Sequence, residues 1–572
     1  MRTFLAIGVR MGWPIALMIF AAACGGGDDG SDSDGSPGGL VADDDASDDD
    51  TDDDSYDDDA DDDDSADDDT WPPLPDDDAD DDTSDDDADD DTDDDASDDD
   101  TGDDDTGDDD TSDDLPMPPD DGRLYVAAGR AIVSPTLENH PSPWYVGGSS
   151  IRIATGVHDD LTASALVFAK GDEHAVLVSV DLVGFPSPRT QVVKDALAVR
   201  GLAPDHIFIS ATHTHEAPDT LGIWGPDPLT SGRDETYSQF LTDTITQLVI
   251  DTWDDLAPVS VQAGRATINE PGSNHPGLIR DSRRPYLAYP DVAAARFVAD
   301  DDSTVATLVN WHNHPEVTMS AMEFSADFPQ WTRQRMETLF GGTSVYLSGA
   351  VGGLGTPLGV DVPAYDESGV RLTDGGGDPI WLNDQSWQKS WSLGFAVADW
   401  AALALDGEPV RTTPALDVAA ATIRIPVRNP LHMAAFLAGL VDRPTNLDRD
   451  HYWECGIVGC IPEVIGRIRV GPLTIVTAPG ETFPETLLGR EESSFDYGPD
   501  WGVFSFEAMT GYEEHLDDTI PMHAGLCNDE LGYIVPFADR HEFDHPDFYE
   551  ETYCVGWEVE GIYRDAVVND LL

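Results

Sequence analysis

Positive charge is scarce in this chain of 572 residues: 29 lysines and arginines stand against 116 aspartates and glutamates, for a net charge of −87. Such a deficit removes the electrostatic term on which nucleic-acid binding depends, and nucleic acid is excluded as a partner. Long apolar runs are missing as well. Met11 to Ala23 is about a dozen residues long, short of the roughly 20 that a membrane-spanning helix needs. Cysteine is sparse: apart from Cys24 there are four, Cys455, Cys460, Cys527 and Cys554, all in the last quarter. An even number in an exported protein reads as two disulfides, and the simplest pairing is Cys455 with Cys460 and Cys527 with Cys554.

Export follows from the first 24 residues. Arg2 and Arg10 flank a short basic region, the apolar run follows, and Ala21-Ala22-Ala23-Cys24-Gly25 closes it with small residues before a cysteine. This is similar to a bacterial lipobox, in which Cys24 is acylated and becomes the mature N-terminus; the alternative is an ordinary small-residue cleavage site. The expected location is the cell envelope, lipid-anchored or secreted, and Gly25-Gly26 after the cysteine favours the outer membrane.

Residues 25–121 contain no lysine or arginine and about 51 aspartates, in units such as Thr-Asp-Asp-Asp. Like charges at this density keep a chain extended and prevent a core. The tract reads as a disordered spacer between anchor and domain. The competing reading, Ca2+ binding on the aspartates, lacks the glycine turn and closing glutamate of an EF-hand loop.

Residues 122–572 keep a charge of about −38 and are long enough for a sizeable core. Apolar runs alternate with helical patterns: strands at Ala163–Ala169, His174–Leu182, Ile207–Ser210, Val259–Gly264, Val305–Asn310, Ser344–Ser348, Ile423–Val427 and Leu473–Ala478; helices at Thr190–Val199, Tyr237–Trp253, Pro329–Phe340 and Trp391–Ala404. The fold class is α/β, a mixed β-sheet core flanked by helices. Histidines cluster just past two strand ends, His213 and His215 after Ile207–Ser210, His312 and His314 after Val305–Asn310. A strand ending in His-x-His places two imidazoles on one side of a sheet edge, a common start for a zinc site.

The series Gly129-Arg-Ala-Ile-Val-Ser-Pro135, Thr155-Gly-Val-His-Asp-Asp-Leu161, Ser179-Val-Asp-Leu182, Ile209-Ser-Ala-Thr-His-Thr-His215, Asn310-Trp-His-Asn-His-Pro315, Ser325-Ala-Asp-Phe-Pro329, Ala478-Pro-Gly-Glu-Thr482 and Asn528-Asp-Glu-Leu-Gly-Tyr-Ile-Val-Pro536 resembles, motif by motif and in order, the neutral/alkaline non-lysosomal ceramidase family. It spans nearly all of residues 123–572, like the compact bacterial members. The resemblance implies a catalytic zinc held by His213, His314, Glu481 and Tyr533, with His312 exchanging for His314 if the register shifts. Two imidazoles and a carboxylate are also a coherent donor set for a hydrolytic zinc.

The resemblance further implies catalytic roles for His215, beside the metal, and for Arg283, which can polarise a carbonyl oxygen; the plain alternatives are a strand-end hydrogen bond and a surface arginine. Asp327 reads as a helix cap, and His158 and Asp159 as structural. One motif departs from the family. Its Asn-x-Gly-Asp-Val-Ser-Pro, with the serine at the catalytic centre, is replaced by Ser348-Gly-Ala-Val-Gly-Gly-Leu-Gly-Thr-Pro357. Gly353 and Gly355 take the aspartate and serine positions, Thr356 becomes the nearest hydroxyl, and the glycines are expected to let backbone approach the substrate.

The expectation is therefore an exported, lipid-anchored zinc amidohydrolase acting on N-acyl lipids such as ceramide. The alternatives are a surface binding protein of the same fold that has lost turnover, and a zinc hydrolase of another amide or ester.

Overall fold

The computed structural model describes residues 114–572 apart from 137–142, 149, 228, 408–413, 442, 446–451, 500, 517–518 and 542–547. The expected signal segment, the expected acylation site at Cys24 and residues 25–113 of the aspartate tract, with its Ca2+ reading, lie outside the described residues. The fold begins a little before the expected boundary at 122: Leu115 is buried in the first core, and the Trp253 indole donates to the Pro116 carbonyl at 2.8 Å.

Eight strands form the main sheet: β1 (Leu124–Ile132), β2 (Thr162–Lys170), β3 (Glu173–Val180), β4 (Ile207–Ala211), β5 (Ala257–Thr267), β6 (Asp291–Ala299), β7 (Thr304–Trp311) and β8 (Thr343–Ser348). Their order across the sheet is β8-β7-β6-β5-β1-β2-β3-β4. The pairs β3–β4 and β7–β8 are parallel and the other five antiparallel. The sheet is thus built of two copies of one unit, three antiparallel strands followed by a helix and a parallel strand, joined back to back at β1–β5. The crossover helices are α1 (Ser187–Ala198) and α3 (Phe328–Phe340), and each unit closes with a further helix, α2 (Glu235–Trp253) or α4 (Trp387–Ala404).

Both faces of the sheet are covered, which is why its strands read as near-continuous apolar runs. Along β2, Ala163, Ala165 and Val167 pack with Val193 of α1 and Leu241 and Ile245 of α2, while Leu166 and Phe168 point to the other face. There they meet Ile468, Val470, Leu473 and Ile475 of a second sheet. Its strands are β9 (Leu416–Pro426), β10 (Cys460–Val470), β11 (Leu473–Thr477) and, after the short β12 (Glu481–Thr482), β13 (Ile520–Ala524), in the order β9-β10-β11-β13. A final short strand, β14 (Tyr533–Ile534), pairs with β12.

Strand twist accumulates over eight strands, and the main sheet coils until its edges approach. The Ser348 hydroxyl at the end of β8 donates to the Thr212 carbonyl just past β4 at 2.5 Å. The segment after β13 fills the remaining gap: Gly525 N–H donates to Ser348 on one side, while Ala211 N–H donates to Leu526 and Asn528 N–H to Ile209 on the other. The two histidine-bearing strand ends, distant in the sheet order, are brought together this way.

One expected disulfide forms, Cys455–Cys460. The other does not: Cys527 and Cys554 are free, buried thiols. Cys527 lies in the segment that closes the main sheet, in the core between the two sheets, whereas Cys554 packs with Phe483 and Val535 and its thiol donates to the Gly556 carbonyl at 3.0 Å. The two belong to different cores, so an even number of cysteines did not amount to two pairs.

Candidate metal centre

His213 sits two residues beyond β4 in a left-handed conformation, φ 67°. A non-glycine residue held there carries strain, and the backbone around it is pinned: Thr212 N–H donates to Val180, and His213 N–H to Leu182 at 2.9 Å. The turn delivers the ring so that Nδ1–H donates to the Val183 carbonyl at 2.6 Å, leaving Nε2 bare. His314 is presented by the loop after β7, where both its backbone N–H (2.9 Å) and its Nδ1–H (3.0 Å) donate to the Gly355 carbonyl. Glu481 opens β12, register-paired with Tyr533 of β14, and its N–H donates to Gly532 at 3.1 Å.

These three side chains converge. Glu481 Oε1 lies 3.5 Å from His213 Nε2, and its Oε2 lies 3.2 Å from His314 Nε2. Two donors bonded at ~2.0–2.1 Å to one tetrahedral ion are about 3.3 Å apart, and each imidazole stands near that distance from one oxygen of the carboxylate, a spacing that suits a shared divalent metal. His215 completes the group: the ligating atoms of His213, His215 and His314 all lie within 4.8 Å of one another, and all three residues are buried. Burial lowers the pKa of His213 to about 4, with Glu481 opposing the shift, and lowers that of His215 well below its ordinary value. Burial also lifts Glu481 to about 7. Neutral imidazoles around a carboxylate short of counter-charge form a set that a divalent cation would satisfy.

Tyr533 stands beside this carboxylate. Burial first and the charge of Glu481 second raise its phenol well above the ordinary value, and its hydroxyl is 3.3 Å from that of Tyr549. His312, in contrast, turns away. Its ring stacks on Tyr289 (4.0 Å between centroids, 9° between planes), and its Nδ1 accepts from Ala350 N–H at 2.9 Å.

Arg283 is buried and committed elsewhere: its guanidinium donates to Glu550 (2.6 Å), Glu551 (2.8 Å) and the Asp539 carbonyl (3.0 Å). With both terminal nitrogens taken, it anchors the segment in which Glu550 follows Tyr549. Asp327 caps α3 as expected, accepting from Phe328 N–H at 2.7 Å, and also from Val317 N–H at 2.6 Å, which ties the His314 loop to the helix. Asp159 accepts from His158, Ser325 and Ala326 in a structural knot.

The glycine loop packs closely against its neighbours. A Cβ on Gly352 would lie 2.5 Å from the Glu481 carbonyl oxygen, and one on Gly353 3.2 Å from the Phe483 ring. The small residues let this loop pack against the strand that carries Glu481. Thr356 is buried, and its hydroxyl donates to Glu316 Oε1. Glu316 and Tyr549 were missed in the sequence, although Glu316 is only two residues beyond His314. Pro-Glu looks like an ordinary loop pair, and nothing in spacing ties Tyr549 to Tyr533.

No protein-family model matches this chain, and no curated protein matches it in sequence. Solved structures do. Neutral ceramidase from Pseudomonas aeruginosa superposes with a TM-score of 0.56 at 14% identity, over 78% of this chain and 74% of that one. The chain has a neutral ceramidase-like fold. A structure described as ceramidase complexed with C2 gives a TM-score of 0.54 at 14% identity, with the same shares of each chain covered.

Proposed function

We propose that this chain is a zinc-dependent amidohydrolase that cleaves the amide bond of N-acyl lipids such as ceramide, and that it works at the cell envelope on an acylated Cys24. The observation that carries the reading is the convergence of His213, His314 and Glu481, from three separate parts of the chain, at the donor spacing of one tetrahedral ion. The ceramidase-like fold supports the substrate class.

His213, His314 and Glu481 would hold the zinc, with Tyr533 at its side. Zinc in such a set supplies Lewis acidity, polarising an acyl carbonyl and lowering the pKa of water. The chain's own contribution is orientation. The Val183 and Gly355 carbonyls fix the tautomers of His213 and His314 by accepting from their Nδ1–H groups, His215 stands against both rings, and the Tyr533 and Tyr549 hydroxyls, 3.3 Å apart, lie near the carboxylate. The aspartate tract acts as a spacer from the anchor.

Metal analysis and a fluorogenic N-acyl sphingosine assay test the reading together. The wild-type chain is expected to hold one zinc and hydrolyse the substrate; His213→Ala and Glu481→Ala are expected to lose the metal and at least about a hundredfold in kcat/KM. Unchanged metal content in both variants would remove the ligand set. A second reading, a zinc hydrolase of a different amide or ester, is favoured by the commitment of the Thr356 hydroxyl to Glu316; ester turnover without N-acyl sphingosine turnover would select it. Acylation is checked by metabolic fatty-acid labelling, which Cys24→Ser should abolish.

A further inference from the structure

Of the three imidazoles at the centre, two send their Nδ1–H to a backbone carbonyl. His215 is built differently. Its Nδ1 is buried and makes no hydrogen bond, and it faces Glu316 Oε2 at 3.6 Å. That distance is just beyond a hydrogen bond, and a small rotation of either side chain closes it. Glu316 is only 8% exposed, and its second carboxyl oxygen faces the His215 ring.

The carboxylate is also held from behind. Thr356 Oγ1 accepts from Leu358 N–H at 3.1 Å and donates to Glu316 Oε1, so one oxygen is occupied and the other is left for the imidazole. The His215 backbone is fixed as well: Arg152 donates to its carbonyl, and its N–H donates to Pro315 at 3.1 Å. A ring whose backbone is clamped and whose Nδ1 meets a locked carboxylate has one preferred tautomer.

We propose that Glu316 is a positioning residue: it holds His215 in the Nδ1–H tautomer, keeping Nε2 as the bare nitrogen of a ring packed edge-on to His213, while Thr356 locks the carboxylate in place. A carboxylate behind an imidazole also makes its other nitrogen more basic than a carbonyl does. The inference rests on the metal-centre reading above for its consequence in turnover, but the tautomer itself does not.

The test uses the full-length chain. Long-range 1H–15N spectra of metal-free, 15N-histidine-labelled protein, with His215 assigned by its loss in His215→Ala, are expected to show the Nδ1–H tautomer. Glu316→Met, of similar length but without an acceptor, should convert His215 to the other tautomer or a mixture. It should also lower kcat by about 10–100-fold with KM within about twofold and zinc content unchanged, while Glu316→Gln recovers most of the loss. Should Glu316→Met fail to fold, Thr356→Val is expected to move both readouts the same way by a smaller factor. An unchanged tautomer in the folded variant overturns the proposal, as does a fall in kcat that only tracks lost zinc. A wild-type chain without zinc or turnover would sink the proposed function, and the spectra would still decide the role of Glu316.

Discussion

Gly148 lies behind the His215 ring with φ +100°, and a Cβ there would come within 2.5 Å of the ring. Both the backbone conformation and the space demand glycine. Gly148→Ala is expected to cost about 1–3 kcal/mol, from strain and overpacking, and to lower activity more than the lost stability accounts for, because the atom that moves first is on His215. Urea denaturation and a turnover assay at a temperature where the variant is fully folded separate the two. The same residue-level logic explains His213: its left-handed turn is unfavourable by itself and persists because the Leu182 and Val183 carbonyls hold both its N–H groups.

At the scale of elements, the link between the two sheet units is the decisive one. Arg333 on α3 donates through both terminal nitrogens to Asp181 at the end of β3, at 2.9 and 2.7 Å, and both side chains are buried. Asp181 also accepts from Thr212, next to His213. Arg333→Ala is expected to destabilise the fold by about 3–5 kcal/mol, since it leaves a buried carboxylate without its counter-charge; a shift of the urea midpoint measures it. The cysteines give a second check. In unreduced protein carrying Cys24→Ser, Cys527 and Cys554 should be silent to a thiol reagent while native and count as two thiols in denaturant; no thiols in denaturant would restore the second disulfide.

For the whole molecule, the excess of acid sets an unusual response to pH. Burial raises Asp281 to about 7, with the Leu287 and Arg283 N–H groups opposing the shift. Burial likewise raises Glu513 to about 7, although the Tyr289 hydroxyl and Arg265 oppose it and Asp291 adds to it. A carboxyl whose folded pKa lies above its unfolded value binds its proton more tightly when folded. The folded state therefore gains from low pH, and that gain is lost as pH rises from the ordinary carboxyl range through about 7. Asp281 and Glu513 are therefore expected to favour pH 5.5 over pH 8, against the opposite contribution of the buried His213 and His215, whose lowered values cost the folded state at low pH; Glu513→Gln should remove about 1–3 kcal/mol of the carboxyl preference and flatten that part of the profile. Thermal melts of wild type and variant across that range decide it; parallel profiles for the two contradict the assignment. Mutual repulsion among surface acids acts in the same direction, so the flattening in the variant is the specific readout.

Much of this architecture was legible in the chain. Strands β2, β3, β4, β7, β8 and β11 and all four long helices lie where apolar periodicity puts them, because each is buried on a face that only apolar side chains can cover. Strands β1 and β6, with Leu124–Ile132 and Asp291–Ala299, have their apolar residues separated by a central stretch of alanine, glycine and arginine, or of alanine and arginine, and were not read as strands until their neighbours were known. The order of residues alone determined the mixed α/β class, the acidic character, and two histidine pairs at strand ends, since these are local properties of composition and period. Only the tertiary structure decided that the ends of β4 and β7 meet, that Arg283 is spent on Glu550 and Glu551, that Cys527 and Cys554 remain apart, and that Glu316 reaches His215. Those facts depend on how eight strands coil and what closes the gap between them, and coiling is a sum over the whole sheet that no short window of sequence contains.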